Sequence, residues 1–132
     1  MKVIGIEFAS SDMNYVVLDR NASGTLEVSA SNRLSLRETR SPDALRAFQQ
    51  AVQTLIEDTC PTRIAIKEKP EKGAMKAGAA ALKMEAIVLA ATACEVRFVS
   101  GARINKCSDP EIPLCAYHYP AFKAAACASE DE

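Results

Sequence analysis

The apolar positions fall at first into short alternating runs. From Val3 to Phe8, Ile4, Ile6 and Phe8 take one parity and Val3, Gly5 and Glu7 the other. Both faces are mostly apolar, which predicts a central strand covered on two sides. Glu7 breaks that pattern, since a carboxylate near the end of a buried strand needs a partner or a metal to offset its desolvation. Ser10-Ser11-Asp12 predicts a turn, and Asn14 to Asp19 a second strand. After a turn at Asn21-Ala22-Ser23-Gly24, a longer third strand keeps Leu26, Val28, Ala30, Leu34 and Leu36 on one parity. Asn32 interrupts that row, as at a bulge or an edge. Short turns between these three strands predict an antiparallel meander.

The period then changes. Ser41 as N-cap, Pro42 at the first helical position and Asp43 at the positive end open a helix. Leu45, Phe48, Val52, Leu55 and Ile56 form its apolar stripe, and Cys60-Pro61 stops it. Arg63 to Glu68 predicts a buried fourth strand, Lys69 to Gly73 a charged turn, and about Ala74 to Ala91 a long alanine-rich helix. Within it, Lys76 and Lys83 are expected on nearly one face, and Gly78 is expected to allow close packing. Glu95 to Val99 predicts a fifth strand, Gly101 to Lys106 a further helical turn, and Ala121 to Ser129 a short final helix. The chain reads as a single domain over residues 1–132, with an irregular segment near 107–120 and a disordered acidic tail near 129–132.

Composition adds exclusions. The 132 residues are 48% hydrophobic and 25% charged, ordinary for one globular domain. No apolar run approaches the ~20 residues of a membrane helix, and MKVIGIEF enters a strand at once, unlike a signal peptide. A cytoplasmic protein without a membrane partner is the expectation. Net charge is only -1, which argues against a wholly basic nucleic-acid binder. The distribution is uneven, however. Residues 60–106 carry nine Lys/Arg against four Asp/Glu, and residues 107–132 one against five. The five cysteines (Cys60, Cys94, Cys107, Cys115 and Cys127) are odd in number and form no CxxC pair, so reduced thiols are expected. Cys107, Cys115 and His118 match no zinc spacing, and Tyr117-His118-Tyr119 reads as a surface loop or lid.

The strand–turn–helix from residue 63 onwards is where an open α/β sheet collects ligands. Lys72, Gly73 and Lys76 at the helix start can hold a phosphate through backbone N–H groups and charge, with Lys83 further along the backbone of a nucleic acid. Ala79-Ala80 replaces the Lys-Ser/Thr of a P-loop, so nucleotide binding by that route is excluded.

The order ββ-β-α-β-α-β-α resembles the ribonuclease H-like fold. MKVIGIEFASS resembles the opening strand of RuvC-type resolvases and their YqgF relatives. IAIKEKPEKGAMKAGAAALKMEAIVLAATACEVRFVSGARIN resembles their fourth strand, second helix and fifth strand. The chain is most similar to a family of short bacterial proteins of unknown function sharing an IKE strand end and a K-G…AG…KMEA helix. The resemblance covers about residues 1–105. It implies a five-stranded mixed sheet of order 3-2-1-4-5, strands 1–3 antiparallel, with helices on both faces.

It also implies phosphodiester cleavage by two Mg²⁺ or Mn²⁺ ions about 3.5–4 Å apart, held by acids from the first strand, fourth strand and last helix. On this chain Glu7 takes the first place, Lys67 stands where the second acid is expected, and Glu68 follows one residue later on the opposite face. The last helix offers only Lys123 between Ala121 and Cys127. Parallel neighbours about 4.8 Å apart would bring Glu7 close to Lys67 or Glu68, so Lys67 can replace the metal as the partner of Glu7.

Three readings follow. One is a nucleic-acid- or phosphate-binding module with an eroded nuclease site. Another is an active Mg²⁺/Mn²⁺ nuclease using Glu7, Glu68 and a third acid such as Glu71, Asp12 or one from a second subunit. The third is a homodimeric interaction scaffold that needs no cofactor.

Overall fold

The computed structural model describes residues 1–73 and 76–131 of the chain. Five strands, β1 (Lys2–Ala9), β2 (Asp12–Arg20), β3 (Leu26–Ser35), β4 (Arg63–Lys67) and β5 (Glu95–Val99), form one sheet of order β3-β2-β1-β4-β5. β1 and β2 pair antiparallel, as do β2 and β3, whereas β1 with β4 and β4 with β5 pair parallel. This is the ribonuclease H-like arrangement. Among the described residues four helices flank it: α1 (Pro42–Thr59), α2 (Ala79–Ala91), α3 (Gly101–Lys106) and α4 (Tyr119–Glu130). Among the described residues no helix is long and apolar enough to cross a membrane.

The alternation of β1 divides the core. Ile4, Ile6 and Phe8 face α1 and α2, joining Ile64, Ile66, Phe48, Val52, Met84 and Val88. Val3 faces the other way, with Ala65, Val16, Leu18 and the alanines of α4. Gly5 shares that second face, and α4 lies against it so closely that a Cβ there would stand 1.9 Å from the Ala121 carbonyl oxygen. Small side chains on both elements permit this approach.

α1 starts as its caps predict. Ser41 Oγ accepts from the Ala44 N–H at 3.2 Å, and Cys60 closes the helix in a left-handed conformation, φ 49°, with its N–H on Ile56 O.

Four expectations are corrected. The single parity of β3 does not hold, because the register shifts opposite Val17 and Leu18. Leu26 and Val28 therefore pack on the α4 side and Leu34 and Leu36 on the α1/α2 side. One extra residue in a strand reverses every following side chain.

The second helix begins at Ala79 rather than near Ala74 (Ala74 and Met75 lie outside the described residues). Upstream, Gly73 at φ +91° and the Ala77 N–H on Pro70 O, 2.6 Å, fold the chain as a loop. Lys76 thus precedes the helix and does not share a helical face with Lys83. Gly78 is its N-cap, with open space where a side chain would be, so it serves no close packing.

The acidic tail is not disordered as far as Asp131. Glu130 is helical, Ser129 is buried, and Asp131 pairs with Arg103 at 2.8 Å and Arg97 at 3.2 Å. Arg63 donates to the carbonyls of Ala128 and Asp131. Three guanidinium groups at the negative end of α4 offset its dipole and hold it in place.

His118, expected on a surface loop, is only 3% exposed. It ends a 3-10 turn, Ala116–His118, that leads directly into α4.

Candidate functional site

The carboxyl ends of β1 and β4 carry the site. Lys67 has the parity of Ala65, and Glu7 that of Gly5 and Val3, so both point to the α4 side. Lys67 Nζ stands 3.3 Å from Glu7 Oε2, with the two side chains 29% and 14% exposed. The ammonium thereby offsets the desolvation of a carboxylate on a covered strand.

Register extends this pair into a row. Glu7 is opposite Asn14 on β2, and Asn14 opposite Arg33 on β3. Side chains directly opposite one another share a face, so Arg33, Asn14, Glu7 and Lys67 cross four strands side by side. Asn14 is 3% exposed, and its Oδ1 accepts from Arg33 Nε at 3.1 Å. The Arg33 guanidinium lies over the Tyr117 ring, 4.4 Å from its centroid, a cation–π contact.

Behind Tyr117, His118 Nε2 is 2.9 Å from the Asn32 carbonyl oxygen. A carbonyl only accepts, so Nε2 donates to it. Nδ1 is buried and has no hydrogen-bond partner among the described residues. Sequence reasoning singled out neither Asn14 nor Arg33, and placed His118 at the surface. The one signal for His118 was its position ahead of Tyr119-Pro120, since proline marks the first turn of a helix.

Glu68 lies just past β4, its N–H bonded to Val99 O. It lines a cleft of about 320 Å³ with Lys69, Pro70, Glu71, Glu85 and Phe98. There burial, followed by the carboxylates of Glu71 and Glu68, pushes the Glu85 carboxyl above its ordinary value. The structure therefore pairs Glu7 with Lys67 and groups Glu68 with Glu71 and Glu85. Asp12 is engaged elsewhere, by Ser35 Oγ at 2.6 Å and by Arg33 and Arg37.

The other sequence candidates separate. Lys67, Lys69 and Lys76 line a cleft of about 520 Å³ with Ala77, Gly78 and Gly101, and Glu68 lines it too, so that carboxylate is shared between the two clefts. Among the described residues no side chain caps the start of α2, so its first N–H groups remain available beside these lysines. Lys72 is exposed, and Gly73 supplies the left-handed turn of the loop. Lys83 lies apart: its Nζ donates to the Thr39 carbonyl at 2.6 Å, tying α2 to the segment before α1.

A two-metal centre does not fit these donors. A lysine already occupies one side of Glu7, and among the described residues no three His, Cys, Asp or Glu side chains are grouped to hold a metal ion. What the arrangement offers chemically is a cleft with three lysines against one carboxylate, beside the ion-paired Glu7.

Comparison with solved structures matches the fold. The structure of Thermus thermophilus RuvC superposes with a TM-score of 0.77 at 12% identity, covering 96% of this chain and 92% of that one. RuvC from the same organism in complex with its Holliday junction substrate gives 0.72 at 14% identity, over 96% and 91%. The yeast mitochondrial Holliday junction resolvase Ydc2 gives 0.52 at 14% identity, over 74% and 50%. No curated protein matches the chain in sequence. A family model described as "Protein of unknown function (DUF3010)" matches residues 1–128. With that match spanning nearly the whole chain, the protein belongs to the DUF3010 family, on a RuvC-like ribonuclease H scaffold.

Proposed function

We propose that this chain is a RuvC-like module that binds nucleic-acid phosphates and does not perform two-metal cleavage. The observation that carries the reading is the Glu7–Lys67 ion pair at 3.3 Å. It sets a cation where an active nuclease would need its second acid. Lys69 and Lys76, which have no ion-pair partner among the described residues, supply the binding half of the argument together with the uncapped start of α2. An anion seated there gains both charge attraction and backbone hydrogen bonds. The Holliday junction bound by a protein of the same fold favours nucleic acid over free phosphate as the ligand.

The test is fluorescence anisotropy with labelled single-stranded, duplex and four-way-junction DNA at low ionic strength, with cleavage followed on the same substrates in Mg²⁺ and Mn²⁺. Binding is expected to weaken steeply with salt and to fall about tenfold or more in the double variant Lys69→Glu/Lys76→Glu, while the DNA stays intact. Undiminished binding by that variant removes the cleft from the reading. Mn²⁺-dependent cleavage lost in Glu7→Gln would replace it with the active nuclease.

One feature favours a homodimeric scaffold as a second reading. α2 is apolar on nearly every side, yet Ala86, Leu89 and Ala90 are exposed, Leu89 by 39%. Helices of that kind are ordinarily covered all round, and a second copy of the chain would cover this face. Sedimentation should then show a dimer that Leu89→Glu dissociates. A monomer at high micromolar concentration removes this reading.

A further inference from the structure

α3 and α4 meet end to side, and two thiols face each other at the contact. Cys107 follows the last turn of α3, its N–H bonded to Ile104 O at 3.0 Å. Cys127 is buried in α4. Their sulfurs stand 2.6 Å apart, only a little beyond the ~2.05 Å of a disulfide bond. Arg103, one turn before Cys107, donates to the Cys127 carbonyl at 3.1 Å and pairs with Asp131, so the approach of the two helices is held independently of the sulfurs. The pair also lines a cleft of about 610 Å³ with Asp109, Ile112, Phe122 and Glu130, which opens a path for a small reagent.

We infer that Cys107 and Cys127 form a reversible redox site, closed to a disulfide by a small-molecule disulfide of the glutathione class. The site stands whether or not the cleft at Lys67 binds nucleic acid.

The step is thiol–disulfide exchange. Cys107, the half-buried sulfur, attacks as its thiolate one sulfur of the oxidant. The oxidant's S–S bond breaks, a first small thiolate leaves, and a mixed disulfide forms on Cys107. Cys127 then attacks Cys107 Sγ within the fold, and the second small thiolate leaves. Each leaving thiolate takes up one of the two protons given up by the cysteines. Two electrons pass from the protein to the oxidant, and the sum is one protein disulfide and two small thiols. Burial, with the Cys107 thiol beside it, pushes the Cys127 thiol up to about 12, which leaves Cys107 as the first nucleophile. Closure links residues 20 apart and fastens α4, through α3, to the end of β5.

The experiment equilibrates the folded chain with oxidised glutathione, alkylates the remaining thiols and maps the cysteines by mass spectrometry, with a thermal melt on the same samples. The expected result is a loss of two hydrogens assigned to a Cys107–Cys127 link. A Tm rise of about 10 °C, reversed by dithiothreitol, should accompany it. Cys107→Ser should abolish the rise. The triple variant Cys60→Ser/Cys94→Ser/Cys115→Ser, which leaves the pair intact, should retain the link. Alkylation of both Cys107 and Cys127 after equilibration overturns the inference, as does a link mapped to any other pair or glutathione held on Cys107 without closure.

Discussion

Glu7 and Lys67, 60 residues apart in the chain, meet at 3.3 Å across two parallel strands on the side of the sheet covered by α4. The contact is only partly exposed, so each member depends on the other. Lys67→Met should cost about 1–2 kcal/mol at pH 7, because it leaves a poorly solvated carboxylate unpaired. Glu7→Gln should cost somewhat less, and the double variant less than the sum of the two. Urea denaturation of the four proteins measures the coupling. A coupling indistinguishable from zero would remove the ion pair from the account of the site.

Gly5 admits no side chain. A Cβ at that position would meet the Ala121 carbonyl oxygen at 1.9 Å and the Ala125 Cβ at 2.8 Å. Backbone cannot yield as a side-chain tip does, so Gly5→Ala should destabilise by about 3 kcal/mol or more. Chemical denaturation gives the value, and a loss under 0.5 kcal/mol would contradict the close seating of α4.

Glu85 carries a pH signature. Its carboxyl is raised in the folded chain, first by burial and then by Glu71 and Glu68. A raised acid binds its proton more tightly when folded, so ionisation costs stability progressively as pH climbs from the ordinary carboxylate value through the raised one. Glu85→Gln should therefore be the more stable protein at pH 7, by about 1–2 °C in Tm. That advantage should vanish below about pH 4. Melting curves across pH 3–8 decide it, and an advantage independent of pH would point to packing instead.

Asp131 behaves with the opposite sign. The Arg103 guanidinium holds its carboxyl below the usual carboxylate range. Its contribution is complete above the ordinary value and is lost as pH falls through the lowered one. Asp131→Asn should lower Tm modestly at neutral pH, as befits an exposed network, and the difference should shrink as pH falls below the ordinary carboxylate value. A gap that does not shrink in acid would assign the effect to hydrogen bonding rather than charge.

Local chemistry made much of this fold legible. Ser41, Pro42 and Asp43 announce α1 because capping is satisfied within a few residues. The parity of β1 separates two cores because it is buried on both faces. What escaped is what depends on register or distance. The shift opposite Val17 and Leu18 reverses β3, and no residue of β3 announces it alone. The start of α2 depends on a backbone bond from Ala77 to Pro70, which competes with the high helical propensity of alanine.

The site divides in the same way. Glu7 was conspicuous as a charge in an apolar strand, and Lys67 as a lysine at a place where the fold expects an acid. Asn14 and Arg33 join them only through strand pairing, which alternation alone does not specify. The hold on Asp131 gathers Arg97 and Arg103, side chains from distant segments, and a solvated tail is the natural expectation without them.

α4 contributes half of the buried residues that close one side of the sheet. A growing polypeptide can therefore assemble β1, β2 and β4 with α1 and α2 while their opposite surface is still bare. That surface stays adhesive until residues 119–130 emerge and dock, and during this interval a chaperone, or another unfinished chain, competes for it.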